Sequence, residues 1–269
     1  KKFKNFHFKK IDIQNINNNK FFNKVGLNLI INLAAQAGVR LSKSKPDIYL
    51  KSNVDGFLQM VLFAKSKNIK KFIYASSSSV YGDLLKKNLS ENKYGKAKSF
   101  YGLTKQFNEK IADFYSDDIM FIGLRFFTVY GPFGRPDMAV YKFTQSIYNN
   151  DTVELYNKGK NLRDYTFIDD LVYIIYKIIN SQKIFTHKNN IFNIGFSKPI
   201  STNKLLSIIQ NQTNKNVKRK YLPQNKLDLV DTKASTIKIN KYFGKINSTK
   251  IEQGIEKFLY WYKNYYGTN

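Results

Sequence analysis

Tyr101 and Lys105 are the residues whose types and spacing most directly suggest chemistry. Side chains four residues apart lie on the same face of a helix, so these two would project together. An ammonium beside a phenol favours the phenolate and lowers a pKa that is ordinarily about 10. We therefore predict that Lys105 tunes Tyr101 as a general base. The spacing by itself is equally that of an ordinary amphipathic helix, because a chain with 19 tyrosines contains such pairs by chance.

A run of four serines at residues 76–79 lies upstream of this pair, at the end of a predicted strand. Buried hydroxyl groups need hydrogen-bond partners, so such a run is poor material for a hydrophobic core. At the carboxyl end of a strand it suits a site that hydrogen-bonds a sugar, with a serine-rich turn as the alternative. The segment 33–40 (LAAQAGVR) follows another predicted strand, and its small side chains let a backbone approach a flat ligand closely.

These motifs need a scaffold of alternating strands and helices. Short apolar runs predict strands at residues 7–13, 29–34, 71–76, 120–127, 153–156 and 191–194. Helical periodicity predicts helices at residues 48–67, 97–115, 138–148, 168–180, 202–211, 234–243 and 251–265. The alternation indicates an α/β fold with a doubly wound, Rossmann-like parallel sheet covered on both faces. We expect a core domain at residues 1–150 and a small α/β substrate cap made mainly of residues 151–269, over the sheet edge where ligands of doubly wound folds bind.

The formal net charge of +26 suggests, taken alone, a polyanionic partner. The charge is carried mostly by dispersed lysines, and no helix-turn-helix, zinc-finger or RNP pattern accompanies it, so we expect no nucleic-acid partner. Nucleic-acid binding stays open as a non-enzymatic alternative. Arginine is scarce, and Arg40, Arg125, Arg135 and Arg163 all fall within the motifs below, where a planar guanidinium has a purpose.

Several classes of site are excluded by composition. The chain has no cysteine, which excludes disulfides, thiol nucleophiles and cysteine-based metal sites. His7 and His187 stand far apart, so we expect no metal site. No run approaches the ~18–20 apolar residues that span a bilayer, and no signal-peptide pattern is visible. The expectation is a cytoplasmic protein without a membrane partner.

Together the motifs carry a resemblance to a known family. The segments concerned are 33–40 (LAAQAGVR), 52–57 (SNVDGF), 74–82 (YASSSSVYG), 101–105 (YGLTK), 124–139 (LRFFTVYGPFGRPDMA), 163–170 (RDYTFIDD), 192–195 (FNIG) and 261–266 (WYKNYY). The chain resembles the NAD-dependent epimerase/dehydratase family, the extended short-chain dehydrogenases/reductases, over essentially its whole length. More narrowly, it is similar to the UDP-glucuronate 4-epimerases, which implies transient oxidation of a UDP-sugar at C4 by bound NAD. Such activity usually feeds surface polysaccharides.

The resemblance implies a role for each residue that matches the family pattern. Tyr101 is the implied base for the sugar 4-OH, Lys105 holds the nicotinamide ribose, and Ser77 hydrogen-bonds the 4-oxygen. The implied cofactor-binding residues are Asp12, Ile13, Leu33, Ala34, Ala35, Gln36, Asn53, Ser76, Tyr101, Lys105, Phe126 and Thr128. The implied substrate-binding residues are Ser78, Ser79, Arg40, Thr128, Arg135, Tyr156 and Arg163.

Thr128 and Arg135 are the pair expected to select the sugar. Oxidising C4 of a glucuronate creates a β-keto acid, which loses CO₂ when its carboxylate turns perpendicular to the new carbonyl. A bidentate arginine and a hydroxyl can fix the carboxylate plane and prevent that loss. A site for UDP-glucose has no need of such a grip. A surface charge at Arg135 and a surface ion pair at Arg163 are the plainer alternatives.

The sequence also departs from the family pattern. The glycine-rich phosphate loop is missing, and with it the first βαβ unit, so we expect a fragment that binds NAD poorly and exposes the strand at 29–34 as a hydrophobic edge. A homodimer through the helices at 48–67 and 97–115 is implied by the family. Within the enzyme class, UDP-glucose 4-epimerase, another NDP-sugar epimerase, a dehydratase and a decarboxylase stay open. Outside it, a non-catalytic nucleotide-sugar-binding remnant stays open.

Overall fold

The structure is a computed structural model that describes residues 3–84, 89–181, 189–225 and 231–267. His187 lies outside the described residues. The strands are β1 Leu29–Asn32, β2 Lys71–Ser77, β3 Met120–Phe126, β4 Thr128–Tyr130, β5 Val153–Tyr156, β6 Leu162–Phe167, β7 Asn189–Ile194, β8 Pro199–Ser201 and β9 Arg219–Leu222. The helices are α1 Leu41–Ser44, α2 Pro46–Tyr49, α3 Gly56–Ser66, α4 Phe100–Phe114, α5 Ala139–Tyr148, α6 Ile168–Ile179, α7 Thr202–Thr213, α8 Ile237–Phe243 and α9 Ile251–Tyr266.

The main sheet is parallel, in the order β1-β2-β3-β7. Its strands are apolar runs because both of its faces are covered. On one face, α3 and α4 pack through residues such as Phe57, Val61 and Ile111. On the other face, α6 and α8 pack through residues such as Ile174 and Ile239. The chain therefore has the predicted α/β, Rossmann-like fold.

A second layer of structure lies beyond the carboxyl ends of these strands. It contains two small sheets, β4-β6-β8 and β5-β9, with α5, α7 and α9 packed in one hydrophobic cluster. α5 precedes residue 150 but belongs to this cluster, whereas β7 follows residue 150 and belongs to the main sheet. Segments of the main sheet and segments of the second layer therefore alternate along the chain. The division at residue 150 stays a prediction.

The strand predicted at residues 7–13 is wrong. Residues 6–12 have no regular structure, and Ile13–Asn18 forms a 3₁₀ helix that begins after Asp12. No described strand lies beside this segment, and an isolated strand has no hydrogen-bond partners for its backbone. The expected hydrophobic edge is present in the described part of the chain, where β2 is the one strand paired with β1 and where Ile31 and Leu33 are exposed.

The helix predicted at residues 48–67 is interrupted. A π-helical turn at Leu50–Asp55 separates α2 from α3. π-helical turns are rare and often mark functional sites, because they turn a side chain away from its regular helical direction. Across the described ranges, no helix is both long and apolar enough to cross a membrane.

Candidate active site

A cleft of about 1470 Å³ opens at the carboxyl ends of β1, β2 and β3, between the main sheet and the second layer. Ligands of doubly wound folds bind at this edge. The predicted site residues that line the cleft are Leu33, Ala35, Gln36, Arg40, Ser76, Ser77, Ser78, Ser79, Tyr101, Lys105, Phe126, Thr128, Arg135, Tyr156 and Arg163. The fold thus gathers most of the predicted site into one place.

The start of α4 fixes the position of Tyr101. Ser99 caps the helix, accepting a hydrogen bond at 3.0 Å from the backbone N–H of Gly102. A Cβ added at Gly102 would lie 2.8 Å from the backbone oxygen of Ser79. Only glycine therefore lets the first turn of α4 pack directly against the 3₁₀ turn Ser78–Tyr81. This contact sets the distance between Tyr101 and the serine run.

The ionisation of Tyr101 differs from the sequence-based prediction. Burial raises the pKa of the Tyr101 phenol, and a hydrogen bond with Ser77 and the charge of Arg135 act in the opposite direction. The Lys105 ammonium lies 6.0 Å from the centre of the Tyr101 ring. The predicted lowering of the Tyr101 pKa by Lys105 is therefore wrong in this structure, because desolvation outweighs the nearby charges and the cation that favours the phenolate is Arg135.

Lys105 is itself strongly influenced by burial. Its Nζ donates to the backbone oxygen of Ala75 at 2.8 Å, and the residue is 4 % exposed. Burial lowers the pKa of Lys105 to about 8, and the charge of Glu109 offsets part of that shift. The ammonium is thus held at the end of β2, and its pKa lies close to neutral pH.

The four serines have different environments. Ser77 caps the 3₁₀ turn, with its Oγ accepting from the backbone N–H of Ser79 at 3.1 Å. The Ser76 hydroxyl is buried and donates to Glu109 through a short hydrogen bond. Ser78 and Ser79 are partly buried and line the cleft. Ser77 is therefore the serine that contacts Tyr101, and Ser76 faces inward.

Glu109 lies at the centre of a network that sequence reasoning missed. Its carboxylate accepts from Arg125 Nε at 2.9 Å and from Arg125 Nη2 at 2.8 Å, and both side chains are fully buried. Tyr94 donates its hydroxyl to the same carboxylate at 2.5 Å. Arg125 lies on β3 and Ser76 on β2, so the network ties α4 to both strands. Glu109 follows Lys105 by four residues, and that helical spacing was the available signal.

Asn53 holds the loop after β1. Its Oδ1 accepts from the backbone N–H of Gln36 at 2.7 Å, and its Nδ2 donates to the backbone oxygen of Gln36 at 3.0 Å and to Thr104 Oγ1 at 3.0 Å. Asn53 is buried within the π-helical turn and does not line the cleft. Its side chain therefore links the backbone of Gln36, which lines the cleft, to Thr104 on α4.

Gly38 shapes the same loop. Its φ of +112° is a conformation that side-chain-bearing residues avoid. The Tyr49 hydroxyl donates to its carbonyl at 2.6 Å. The position of a Cβ at Gly38 would be 3.4 Å from Tyr49 Oη and 3.7 Å from Arg135 Nη2. These are ordinary van der Waals distances, so the positive φ, and not a lack of space, favours glycine at this position.

Several of the residues predicted to bind substrate come from other segments of the chain. The Arg40 guanidinium stacks 4.1 Å above the Tyr156 ring, which joins the loop after β1 to β5. Arg163 is on β6 and donates through Nη1 to the backbone oxygen of Leu162 at 2.9 Å. Thr128 begins β4, opposite Tyr165 on β6. Each of these side chains reaches the cleft from a different segment.

Arg135 pairs with Asp137. Its Nε donates to Asp137 Oδ1 at 2.9 Å, and its Nη2 donates to Oδ2 at 2.5 Å. Both side chains are about half exposed at the cleft rim. Burial raises the pKa of Asp137, but the hydrogen bond and charge of Arg135 more than offset this and lower it overall. Arg135 is thus a half-exposed residue in an ion pair, and its role in binding substrate stays a prediction.

Besides Asn53, three of the predicted cofactor residues lie outside the cleft lining. Asp12 accepts from the backbone N–H of Gln14 at 3.0 Å and caps the first 3₁₀ helix. Ile13 packs beside Gly56 at the start of α3. Ala34 donates its N–H to Asn32 Oδ1 at 3.2 Å. The structure does not bring these residues together with Tyr101.

Comparison with known proteins defines the class of this fold and site. The chain belongs to the NAD dependent epimerase/dehydratase family, whose pattern it matches over residues 1–195. A UDP-glucuronate 4-epimerase of Thermodesulfobacterium geofontis is 35% identical over 98% of this chain and 81% of its own length. An uncharacterized protein of Methanocaldococcus jannaschii, MJ1055, is 39% identical over 97% of this chain and 80% of its own length.

A solved structure gives the same class. The UDP-glucuronic acid 4-epimerase of Bacillus cereus, in complex with UDP-glucuronic acid and NAD, superposes with a TM-score of 0.88. It is 27% identical and covers 95% of this chain and 81% of its own chain. The fold is that of the NAD-dependent nucleotide-sugar epimerases and dehydratases.

The residues around Lys105 fit the cofactor of this family. Among the described residues, the Lys105 ammonium has one hydrogen-bond acceptor, the Ala75 carbonyl, although it carries three donors and is buried. Buried donors need acceptors, and the hydroxyls of a ribose would supply two. Small residues of the loop after β1 leave room beside them. The donor set therefore matches the ribose of NAD.

Proposed function

We propose that this protein is a UDP-glucuronate 4-epimerase that converts UDP-glucuronate to UDP-galacturonate with bound NAD. The observation that carries the proposal is the contact of Ser77 with Tyr101 inside the cleft, with Arg135 close enough to favour the phenolate. A sugar hydroxyl between Ser77 and Tyr101 has both a hydrogen-bond partner and a proton acceptor. The relatives named above support the choice of UDP-sugar.

Tyr101 and Ser77 act on the sugar 4-OH in this mechanism. Tyr101 accepts the hydroxyl proton while Ser77 holds the oxygen, and Ser78 and Ser79 assist. NAD, when bound, would supply the hydride-transfer chemistry at C4. The raised pKa of Tyr101 keeps its proton available for the return step, whereas Ser77 and Arg135 favour its release in the first. Lys105 orients the ribose through its ammonium.

The remaining predicted residues hold the rest of the ligand. Thr128 and Arg135 fix the plane of the sugar carboxylate, which protects the oxidised sugar from losing CO₂. Arg163 binds the diphosphate, and Arg40 and Tyr156 lie near the uridine. Leu33, Ala35, Gln36, Phe126 and Ser76 form the cofactor wall, and Asn53 fixes that wall through Gln36. Ala34 stays a candidate behind this wall. Asp12 and Ile13 remain candidates for the adenine side.

The test compares Tyr101→Phe with the unchanged chain in assays with UDP-glucuronate and added NAD. Loss of a positioned general base reduces kcat by roughly 10²–10⁴-fold. Tyr260→Phe is the matched control, because Tyr260 lies on α9 and is 73% exposed; its activity should equal that of the unchanged chain. Normal epimerisation by Tyr101→Phe would refute the assigned base.

The sugar is tested by comparing UDP-glucuronate with UDP-glucose in the same assay. A carboxylate grip at Arg135 predicts a clear preference for UDP-glucuronate in kcat/KM. Equal kcat/KM values for the two sugars would leave an epimerase without a carboxylate site and would favour UDP-glucose 4-epimerase.

We also propose a homodimer formed by α3 and α4. Leu103, Phe107 and Phe114 lie on the outer face of α4 and are 50%, 51% and 80% exposed, and Leu62 on the neighbouring α3 is 37% exposed. An apolar face on two adjacent helices is a typical interface between subunits. A second copy of the chain would bury this face in a four-helix arrangement.

A further inference from the structure

The pairing of Arg135 with Asp137 leaves one edge of the guanidinium for a ligand. Asp137 occupies Nε and Nη2, which form one of the two edges able to grip a carboxylate in parallel. In the described part of the chain, Nη1 makes no hydrogen bond. A second acceptor can therefore approach the Nη1 side while the pair remains intact.

The surroundings of the pair fix the backbone that carries Arg135. Two successive tight turns fix the backbone, with Gly134 N–H donating to the Gly131 oxygen at 3.0 Å and Met138 N–H donating to the Arg135 oxygen at 3.2 Å. Gly38 lies close to Nη2 on the other side. The guanidinium is thus held between the carboxylate of its own loop and the loop after β1.

Asp137 carries the negative charge that is needed to hold the Arg135 guanidinium. Asp137 stays ionised because Arg135 lowers its pKa, despite partial burial that raises it. Arg135 also acts on the Tyr101 phenol, so the held guanidinium lies within electrostatic reach of the proposed base. A free arginine side chain loses rotamer entropy when it is immobilised. Asp137 meets that cost before any ligand arrives.

We infer that Asp137 is a positioning residue, which holds Arg135 so that its free edge meets the carboxylate of a uronic-acid sugar nucleotide. The inference rests on the proposed function, since it assigns a task to the carboxylate grip. Without Asp137, Arg135 samples other rotamers, and the sugar carboxylate is held less firmly. The oxidised sugar then turns its carboxylate more often into the geometry that loses CO₂.

That side reaction supplies a specific readout. In the 4-keto sugar, the C5–C6 bond breaks, its electron pair moves into the C4 carbonyl as an enolate, and CO₂ leaves. A proton from water then adds at C5. The product is a sugar nucleotide shortened by one carbon, and a purely structural role for Asp137 would not increase its share.

The experiment measures KM, kcat and released CO₂ for Asp137→Asn with UDP-glucuronate. We expect KM to rise roughly tenfold, because the rotamer entropy of Arg135 is then lost on binding. The CO₂ released per turnover should also rise, while KM for UDP-glucose stays unchanged. Asp118→Asn is the matched control, because Asp118 pairs with Lys65 at 2.7 Å on the surface and is not part of the cleft lining.

A double-mutant cycle with Arg135→Ala shows whether Asp137 acts through Arg135. In the Arg135→Ala background, adding Asp137→Asn should change neither KM nor the CO₂ released. An unchanged or lowered KM in Asp137→Asn overturns the inference, and a lowered KM identifies Asp137 as a competitor for the arginine. A chain without preference for UDP-glucuronate over UDP-glucose refutes the proposed substrate instead, so the two failures are distinguishable.

Discussion

Lys105 illustrates how a single residue serves the site at a cost in stability. Its ammonium is buried with one carbonyl acceptor, and the pKa is lowered to about 8 because burial disfavours the charged form. Glu109, one helical turn further on, limits the shift. The Lys105 ammonium is thus a destabilising buried charge. Its two remaining N–H donors are those that would bind the hydroxyls of a ribose.

The Lys105→Met variant makes that cost measurable through its dependence on pH. The unfolded lysine keeps its proton up to about pH 10.5, whereas the folded one releases it near pH 8. Between these values the unfolded state binds more protons, so the free energy of unfolding rises with pH. Relative to Lys105→Met, the unchanged chain should gain up to about 3 kcal/mol from pH 7 to 10.5.

Urea unfolding of both proteins at several pH values measures this difference. Titration of the other groups contributes equally to the two chains and cancels. Parallel pH profiles would show that Lys105 is not desolvated.

At the scale of elements, the site depends on how closely α4 approaches the end of β2. The first turn of α4 contacts the 3₁₀ turn Ser78–Tyr81 directly, because Gly102 has no side chain. Further along the helix, Glu109 joins Arg125 on β3 and Ser76 on β2. The helix is thus fixed to the sheet at two points, one on each side of Lys105.

Gly102→Ala tests the first of these contacts. Alanine adds helix propensity, but its Cβ would lie 2.8 Å from the Ser79 oxygen, so the helix start must shift. Overpacking costs about 1–3 kcal/mol, and a displacement near 1 Å can reduce the rate by roughly 10²-fold. We therefore expect a large loss of kcat, measured by steady-state kinetics, and only a modest loss of unfolding free energy, measured by urea unfolding.

Gly26→Ala is the corresponding control. Gly26 has no atom within 4 Å of its Cβ position, so this variant should keep both kcat and stability. Full activity in Gly102→Ala would mean that the spacing of Tyr101 and the serines tolerates a shift.

At the scale of the whole molecule, the outer surfaces of α3 and α4 carry the feature that the fold leaves unexplained. The apolar face formed by Leu62, Leu103, Phe107 and Phe114 lies on the side of the helices away from the sheet. Burying such a face stabilises a dimer by roughly 25 cal/mol per Å² of apolar area, against the entropy cost of association.

Phe107→Glu is expected to convert the proposed dimer to a monomer. A carboxylate buried at the centre of an apolar interface lacks a partner and opposes association. Light scattering coupled to size exclusion measures the mass directly. Val172→Lys on α6 is the control, since Val172 is 56% exposed on the opposite face of the sheet. An unchanged mass in both variants would place any interface elsewhere.

The sequence by itself determined the scaffold and the candidate reacting residues. Apolar runs predicted β2, β3, β5 and β7 closely, and the four-residue spacing placed Tyr101 and Lys105 on one helix, because both patterns depend on local periodicity. The strand predicted at residues 7–13 was wrong because a strand depends on a neighbour, which no local pattern reveals.

Only the tertiary structure decided how those residues ionise and which of them touch. The pKa of Tyr101 depends on burial, on Ser77 and on Arg135, which come from three separate segments. The tasks of Asn53 and Glu109 likewise depend on partners distant in sequence. Desolvation and charge act through space rather than along the chain, so the spacing of Tyr101 and Lys105 identified the pair but not the sign of the shift.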